Sequence, residues 1–224
     1  SDRMPAGVDV FPLYGALDLA EQDRAVAPSP SGRRKVVLAT SIAETSLTLE
    51  GVTVVIDAGL ARVPRYDPAS GLTRLATVRV SRAGADQRRG RAGRTQPGVC
   101  YRLWDEAQTK GLPAFARPEI LESDLSGLAL DLARWGAREA SGLSFLDPPP
   151  AGAYAEARSL LTRLEALDAA GGLTGHGQAM ARLPLAPRLA HMLLRAAAGG
   201  AAQRAALIAA VLSEPGLGGR EVDL

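Results

Sequence analysis

The chain has 224 residues, of which 46% are apolar, and its mean hydropathy is +0.02. This composition allows a folded core and excludes an intrinsically disordered chain. The net charge of +2 leans basic without a polybasic tail, and no apolar run approaches the roughly 18 residues of a membrane span, so we expect no membrane association. The single cysteine excludes an intrachain disulfide and suits a reducing, cytoplasmic location.

Two short apolar runs near the amino end are typical of strands buried in a parallel sheet. They are residues 33–40 and 52–58, and both lack the alternation of a half-exposed strand. A helix is predicted over residues 18–27, before the turn-forming residues 28–32. Strands and helices in alternation indicate an α/β layer.

A hairpin, a capped helix and a further strand are predicted next. Residues 61–80 contain two strand-like segments around the turn formers Asp-Pro-Ala-Ser-Gly, which predicts a β-hairpin. Ser81 is placed to cap a helix that runs to about Arg94. Alternating apolar residues over 98–104 predict another strand.

Beyond residue 113 the pattern becomes helical. Apolar residues at helical spacing predict one helix that ends at Gly136 and a second that ends at residues 171–172. A small hairpin is predicted over residues 173–183, and helices followed by a short hairpin suggest a winged-helix module. The alanine-rich residues 187–213 predict further helix.

Residues 87–94, Gln-Arg-Arg-Gly-Arg-Ala-Gly-Arg, carry the clearest chemical signal. On the predicted helix, Gln87, Arg91 and Arg94 lie at i, i+4 and i+7 and therefore share a face. Two arginines and an amide on one face suit a polyphosphate whose charge grows in a transition state. A solvated basic helix is the alternative, and a GC-rich genome would also explain why only two of the 26 cationic residues are lysines.

Five segments, in chain order, resemble the DEAH-box branch of the superfamily 2 helicases, and their sequences are most similar to the bacterial HrpB-like subgroup. Residues 87–94 are similar to motif VI of that family and residues 40–48 to motif V. The other three segments are similar to the motif IVa region, to the strand after motif VI and to the start of the ratchet-like domain, and they are residues 12–24, 95–103 and 183–190.

The resemblance implies a fold class and a division into domains. It implies an α/β, RecA-like parallel-sheet domain with a β-hairpin insertion over residues 1–112. Whether the first strand of that domain is included in these residues is left open. A winged-helix domain over 113–185 and an incomplete helical, ratchet-like domain over 186–224 would follow. A first RecA-like domain, which carries the phosphate loop and the Asp-Glu-x-His sequence absent from these 224 residues, would precede residue 1.

The resemblance also assigns a nucleotide site. Arg91 and Arg94 would face the γ-phosphate of ATP as arginine fingers, with Gln87 beside them. Glu50 stands where the family commonly has an aspartate on the ribose, and Val26 where many members stack a phenylalanine on the adenine. ATP would bind with Mg²⁺, whose ligands are expected in the absent first domain, and no metal site is expected in this chain.

A nucleic-acid site is implied as well. Gly15, Thr40, Ser41 and Thr45 would contact single-stranded RNA through its backbone rather than its bases, and the sequence leaves open whether DNA also serves. The function implied is the C-terminal part of an ATP-dependent RNA helicase that couples hydrolysis to translocation and unwinding, inactive as this chain alone. The alternatives are a non-enzymatic winged-helix nucleic-acid-binding protein and an α/β metabolic enzyme with an incidental arginine motif.

Overall fold

The structure is a computed structural model, and it describes residues 5–29, 33–45, 49–67, 71–94 and 96–213. The chain forms two compact units. One contains Ser1–Arg65 and Arg74–Arg117, and the other contains Tyr66–Thr73 and Pro118–Leu224. No helix within the described ranges is long and apolar enough to cross a membrane.

Parallel strand pairs form the α/β layer of the first unit. Strand β1 (Val8–Leu13) pairs along its full length with β2 (Arg34–Ala39). Strand β3 (Val54–Asp57) pairs in the same way with β6 (Val99–Arg102). The predicted parallel α/β architecture is therefore confirmed.

These strands are more exposed than the sequence predicted. Val36, Leu38, Val54 and Ile56 are 39, 63, 52 and 68% exposed, so the prediction that both strands are buried is wrong for this chain. Within the described residues, β2 pairs only with β1 and β3 only with β6. Apolar runs therefore indicate strands correctly here, but their burial needs covering elements that these residues do not supply.

The first helix, α1 (Leu19–Val26), is fixed at both ends. At its start the Asp18 carboxylate accepts a hydrogen bond of 2.8 Å from the Glu21 amide. At its end the Lys35 amine, from β2, donates to the main-chain carbonyl of Arg24 at 2.8 Å. The helix end therefore lies beside the amino end of β2.

Between β2 and β6 the chain also contains the short helix α2 (Ile42–Thr45), the strands β4 (Leu60–Asp67) and β5 (Leu72–Arg79), and the helix α3 (Arg82–Arg91). Strands β4 and β5 pair with each other, so the predicted hairpin is confirmed, although residues 68–70 of its turn lie outside the described residues. The Ser81 hydroxyl accepts from the Gly84 amide at 3.1 Å, which confirms the predicted cap.

Helix α3 ends at Arg91, so the prediction that it runs to about Arg94 is wrong. The chain turns back at once toward β6, and Gly98 packs directly against the helix end. A Cβ atom at Gly98 would overlap the Ala92 carbonyl oxygen and lie 2.8 Å from the carbonyl oxygen of Thr53. The low helix propensity of the glycines at positions 90 and 93 favours an early end of the helix, and the close packing of Gly98 leaves no room there for a side chain.

A small buried cluster lies between the hairpin and the short helix α4 (Glu106–Lys110). Val80, Ala85 and Leu112 are buried in it, and Trp104 packs against them. Gly59 has φ +73°, and a Cβ there would lie 2.8 Å from Cε3 of the Trp104 ring. Only glycine combines this backbone conformation with so close an aromatic neighbour.

The second unit is helical. Its elements are α5 (Ser126–Arg134), α6 (Ala151–Arg163), α7 (Gly175–Met180), α8 (Pro187–Ala198) and α9 (Ala202–Ser213). Helix α5 packs against α6 and α8, and α8 packs against α7 and α9. The predicted apolar stripes contribute Leu125, Leu132, Leu161 and Leu167 to a core that also contains Leu130, Tyr154 and Met180. Trp135, at the end of α5, is instead 82% exposed.

Two predictions for this unit are wrong in detail. The helix predicted to end at Gly136 is divided into a 3-10 turn, Glu119–Leu121, and α5, because the Asp124 carboxylate accepts from the Ser126 amide and forms a local turn between them. The hairpin predicted over residues 173–183 is instead α7, whose first turn is capped by the Thr174 hydroxyl. Whether this unit is a winged helix stays a prediction.

Candidate functional site

The best-connected side chain of the first unit is Arg88, in the middle of α3. Its Nε and Nη2 lie 2.7 and 2.6 Å from Oε1 of Glu44, and its Nη1 donates to Oδ1 of Asp57 at 2.8 Å and to the Leu60 carbonyl at 2.9 Å. Asp57 Oδ1 also accepts from the Gly59 amide at 2.9 Å. One guanidinium group therefore holds α2, the end of β3 and the start of β4 on α3.

This network is largely shielded from water. The side chains of Arg88 and Glu44 are 17 and 19% exposed, and that of Asp57 is 0% exposed. Burial alone lowers the pKa of Arg88, but the hydrogen bonds and charges of Glu44 and Asp57 outweigh it and raise the pKa above its ordinary value. Arg88 is therefore a permanent cation in a structural position.

Arg91 lies one turn further along α3, at the end of the helix. Its Nη2 donates to the main-chain carbonyl of Glu44. Glu44 therefore accepts from Arg88 with its carboxylate and from Arg91 with its backbone carbonyl. The pKa of Arg91 is lowered, because partial burial penalises its charge and the charge of Arg94 repels it, against the attraction of Glu44. The charges of Arg91 and Arg94 therefore interact.

The predicted shared face holds for two of the three residues. Gln87 and Arg91 stand four apart on α3, and Gln87 is exposed. Arg94 follows the end of the helix, so the reasoning that placed it at i+7 on the same face is wrong. The charge of Arg94 nevertheless contributes to lowering the pKa of Arg91.

The residues expected to contact RNA follow the carboxyl ends of β1 and β2. Gly15 lies in the exposed turn after β1, and a Cβ there would meet nothing within 4 Å. Thr40 and Ser41 are exposed and follow β2 directly, and the Thr40 amide donates to the Leu13 carbonyl at 3.0 Å. Thr45 ends α2, but its side chain lies outside the described residues.

The residues expected to contact the base and ribose lie elsewhere. Val26 ends α1, beside the amino end of β2, and Glu50 is exposed in the turn that leads into β3. Strand β2 has six residues, or about 20 Å at roughly 3.3 Å per residue, so Val26 is at the opposite edge from Thr40. Val26 forms no part of the cluster around Arg91, and its role and that of Glu50 stay predictions.

Sequence reasoning missed Arg88, Glu44 and Asp57. Each belongs to a segment that the sequence had singled out, and Asp57 is a carboxylate at the end of an apolar run. Their pairing is long-range, however, because 44 and 31 residues separate Arg88 from Glu44 and from Asp57. Periodicity along one helix cannot identify such partners.

The side chains at the end of α3 suit a phosphate. Arg91 and Arg94 offer guanidinium donors, which match phosphate oxygens in geometry and charge. Within the described part of the chain, no group of three or more histidine, cysteine, aspartate or glutamate residues could hold a metal ion.

The parallel strand pairs and the arginine-rich helix α3 define a class of protein. The family of helicase conserved C-terminal domains matches residues 2–96, so the first unit contains a RecA-like helicase domain. Among solved structures, the DEAH/RHA helicase HrpB of Escherichia coli matches with a TM-score of 0.89 and 49% identity, over 96% of this chain and 27% of that chain.

Curated relatives specify the family. The chain is 49% identical to the ATP-dependent RNA helicase HrpB of Escherichia coli, over 96% of this chain and 26% of that protein. It is 41% identical to the pre-mRNA-splicing factor ATP-dependent RNA helicase prp22 of Schizosaccharomyces pombe, over 98% of this chain and 19% of that protein. The chain therefore contains a helicase C-terminal domain and is similar to DEAH-box helicases over nearly all of its length, as its motifs indicated. It spans about a quarter or less of the length of these relatives.

Proposed function

We propose that this chain is the C-terminal part of an ATP-dependent RNA helicase, which couples ATP hydrolysis to translocation on RNA and to its unwinding. The observation that carries the proposal is the position of Arg91. It ends a helix of the motif VI type, stands beside Arg94, and bonds the backbone of the segment that follows β2. The family and the names of its relatives support the choice of nucleotide and nucleic acid.

In the proposed nucleotide site, Arg91 and Arg94 act as arginine fingers on the γ-phosphate of ATP. Gln87 lies beside them. Two cations that repel each other gain most when an anion is placed between them. The carboxylate of Glu50 and the side chain of Val26 would border the ribose and the adenine. We assign the Mg²⁺ ligands to a first RecA-like domain of the same polypeptide, which would also polarise the phosphate for attack.

In the proposed RNA site, Gly15, Thr40, Ser41 and Thr45 contact the backbone of a single strand. Open α/β sheets bind ligands beyond the carboxyl ends of their parallel strands, which is where the described parts of these residues lie. Small and hydroxyl-bearing residues suit phosphate and sugar contacts that carry no sequence information. Binding would therefore weaken as salt increases and would depend little on base sequence.

The proposed domain assignment keeps residues 1–112 as the second RecA-like domain, 113–185 as a winged helix and 186–224 as the start of a ratchet-like domain. The proposed location is the cytoplasm. The 224 residues contain no Gly-x-x-x-x-Gly-Lys-Thr phosphate loop, so the chain alone should not hydrolyse ATP.

The test is steady-state ATPase activity of the complete helicase with and without single-stranded RNA. Arg91→Ala or Arg94→Ala should lower RNA-stimulated turnover by about 10³- to 10⁵-fold, the usual contribution of an arginine finger. Arg91→Lys should restore little, because an ammonium group cannot reproduce the bidentate geometry. The thermal midpoint should change little, since the hydrogen bond from Arg91 to the Glu44 carbonyl is worth about 1 kcal/mol.

Arg89→Ala is the matched control. Arg89 lies on the same helix, but its side chain is 63% exposed and its ion pair with Asp86 is 3.6 Å long, so the variant should keep most of the activity. Equal losses in all three alanine variants would mean a general basic patch and would refute the proposed fingers. A complete protein that binds RNA without hydrolysing ATP would instead favour the non-enzymatic alternative. The same ATPase measurements with single-stranded DNA decide whether DNA also stimulates the enzyme.

A further inference from the structure

We propose that Lys35 is a positioning residue for the base of the nucleotide, because it fixes the end of α1 that carries Val26. The inference rests on the proposed function, in which Val26 borders the adenine. Lys35 lies in β2, and its amine donates to the main-chain carbonyls of Arg24 and Ala27 at 2.8 and 2.5 Å. These two carbonyls lie on either side of Val26 in the chain.

The end of α1 lacks a donor that a helix normally supplies. In a continuing α-helix the amide of residue 28 would donate to the carbonyl of Arg24. Residue 28 is proline, which has no amide hydrogen. Ala27 has already left the helical conformation, with ψ 147°, as a residue before proline usually does. Lys35 therefore supplies, from a neighbouring strand, the hydrogen bond that Pro28 cannot donate.

The Lys35 amine is held on a second side by an aromatic ring. It lies 4.7 Å from the centre of the Phe11 ring in β1, within the range of a cation–π interaction. Phe11 pairs with Val37 and Asp9 with Lys35, so the Phe11 and Lys35 side chains are on the same face of the strand pair. Burial lowers the pKa of the Lys35 amine, as expected for an ammonium group partly removed from water. The position of the amine is therefore set by both strands.

This arrangement ties Val26 to the sheet. A helix end frays easily because its last carbonyls lack partners within the helix, and α1 has only eight residues. Lys35 holds one carbonyl before Val26 and one after it, so the Val26 backbone cannot move away from β2 without breaking a hydrogen bond. A cation at this end also interacts favourably with the helix dipole. The Val26 side chain is half-buried, and its exposed part is available to a base.

A positioning role and a purely stabilising role predict different binding data. A residue that only stabilises the fold would affect the binding of base and phosphates alike, or neither of them. A residue that positions Val26 should change the contribution of the base and leave phosphate binding by Arg91 and Arg94 unchanged.

The test separates the base from the phosphates in the complete helicase. Isothermal titration calorimetry in the presence of Mg²⁺ gives the dissociation constants of inorganic tripolyphosphate and of a non-hydrolysable ATP analogue. The first constant divided by the second is the contribution of the nucleoside, because tripolyphosphate has neither base nor ribose. Val26→Phe offers the base an aromatic ring and should raise this ratio by about 5-fold or more, the lower end of the range for base stacking.

Lys35→Met keeps the apolar stem of the side chain and removes its donors. In the Val26→Phe background it should return the ratio to about the wild-type value, because the ring is no longer held where the base binds. The dissociation constant of tripolyphosphate should not change. Lys35→Gln, whose amide ends one bond nearer the backbone, is too short for both carbonyls. It tests the same link where Lys35→Met lowers the yield of folded protein.

Arg34→Met is the matched control. Arg34 precedes Lys35 in β2, is exposed, and lies on the opposite face of the strand. The variant removes a cation from the same strand without touching the end of α1, so the gain from Val26→Phe should remain complete.

The outcomes separate the inference from the proposed function. A complete gain from Val26→Phe in the Lys35→Met protein overturns the inference, and so does an equal loss of affinity for the analogue and for tripolyphosphate. A helicase that hydrolyses ATP but gains nothing from Val26→Phe also overturns the inference and leaves the proposed function in place. A wild-type protein that binds neither the analogue nor tripolyphosphate refutes both.

Discussion

Replacing Asp57 by alanine should destabilise the first unit far more than replacing an exposed aspartate with the same kind of partner. Asp57 is 2.8 Å from Arg88 and its side chain is 0% exposed, whereas Asp86 is 2.7 Å from Arg102 and 54% exposed. The two pairs therefore match in chemistry and distance and differ in burial.

The expected cost of Asp57→Ala is about 3 kcal/mol. Breaking a buried ion pair by removing one partner costs about 3–5 kcal/mol, and the Gly59 amide would also lose its acceptor. Two features moderate the loss. Arg88 keeps its ion pair with Glu44. Asp57 Oδ2 is buried with no hydrogen-bond partner among the described residues, so removing Asp57 also removes the desolvation cost of that oxygen. A loss of about 3 kcal/mol is more than a hundredfold in the unfolding equilibrium.

Tryptophan fluorescence during urea unfolding measures this loss. The chain has two tryptophans, and Trp104 packs in the first unit while Trp135 is 82% exposed in the second. A Trp135→Phe background therefore makes the signal specific for the first unit. Asp86→Ala should cost less than about 1 kcal/mol, as exposed pairs do. Equal losses for Asp57→Ala and Asp86→Ala would refute the argument from burial.

Two further predictions concern Gly59 and His176. Gly59→Ala should lower the unfolding free energy of the first unit by about 1–3 kcal/mol, through strain at positive φ and through contact with Trp104. Gly51, at φ +74°, has nothing within 4 Å of the position that an added methyl group would take, so Gly51→Ala should show only the strain. An equal loss of unfolding free energy in the two variants would contradict the contact argument. The pKa of His176 lies below its ordinary 6.5, because burial and the charges of His191 and Arg195 lower it more than the charge of Glu165 raises it. The imidazole of His176 therefore binds a proton less tightly in the folded chain than in the unfolded chain. The second unit should therefore lose stability as the pH falls below that value, and His176→Gln should lose less between about pH 7.5 and about pH 5.5; an unchanged difference between the thermal midpoints would show that His176 does not contribute.

Local signals in the sequence predicted the elements well. The apolar runs 33–40 and 52–58 indicated parallel strands, the turn formers in 61–80 indicated the hairpin, and the Ser81 hydroxyl indicated the start of α3. Each of these features depends on residues within one segment. What failed was set from a distance: strand burial depends on covering elements, and the end of α3 depends on a chain reversal that brings Gly98 back onto the helix.

The site was predictable in the same measure. Spacing alone identified Gln87 and Arg91 as neighbours on one helix face, because that relation is local. The part played by Arg88 was not predictable, since it depends on carboxylates from two other segments. Spacing also misplaced Arg94, because the helix that would have carried it ends three residues earlier.

Gly98 lets the chain after α3 pack backbone against backbone on the end of that helix. A larger residue in a core can often turn to another rotamer when its neighbours change, but a Cβ atom has no rotamers and its place is fixed by the backbone. At Gly98 that atom would overlap the Ala92 carbonyl oxygen, so even alanine would push two backbones apart. A single methyl group at position 98 would therefore disturb the entry to β6 and the end of α3 together.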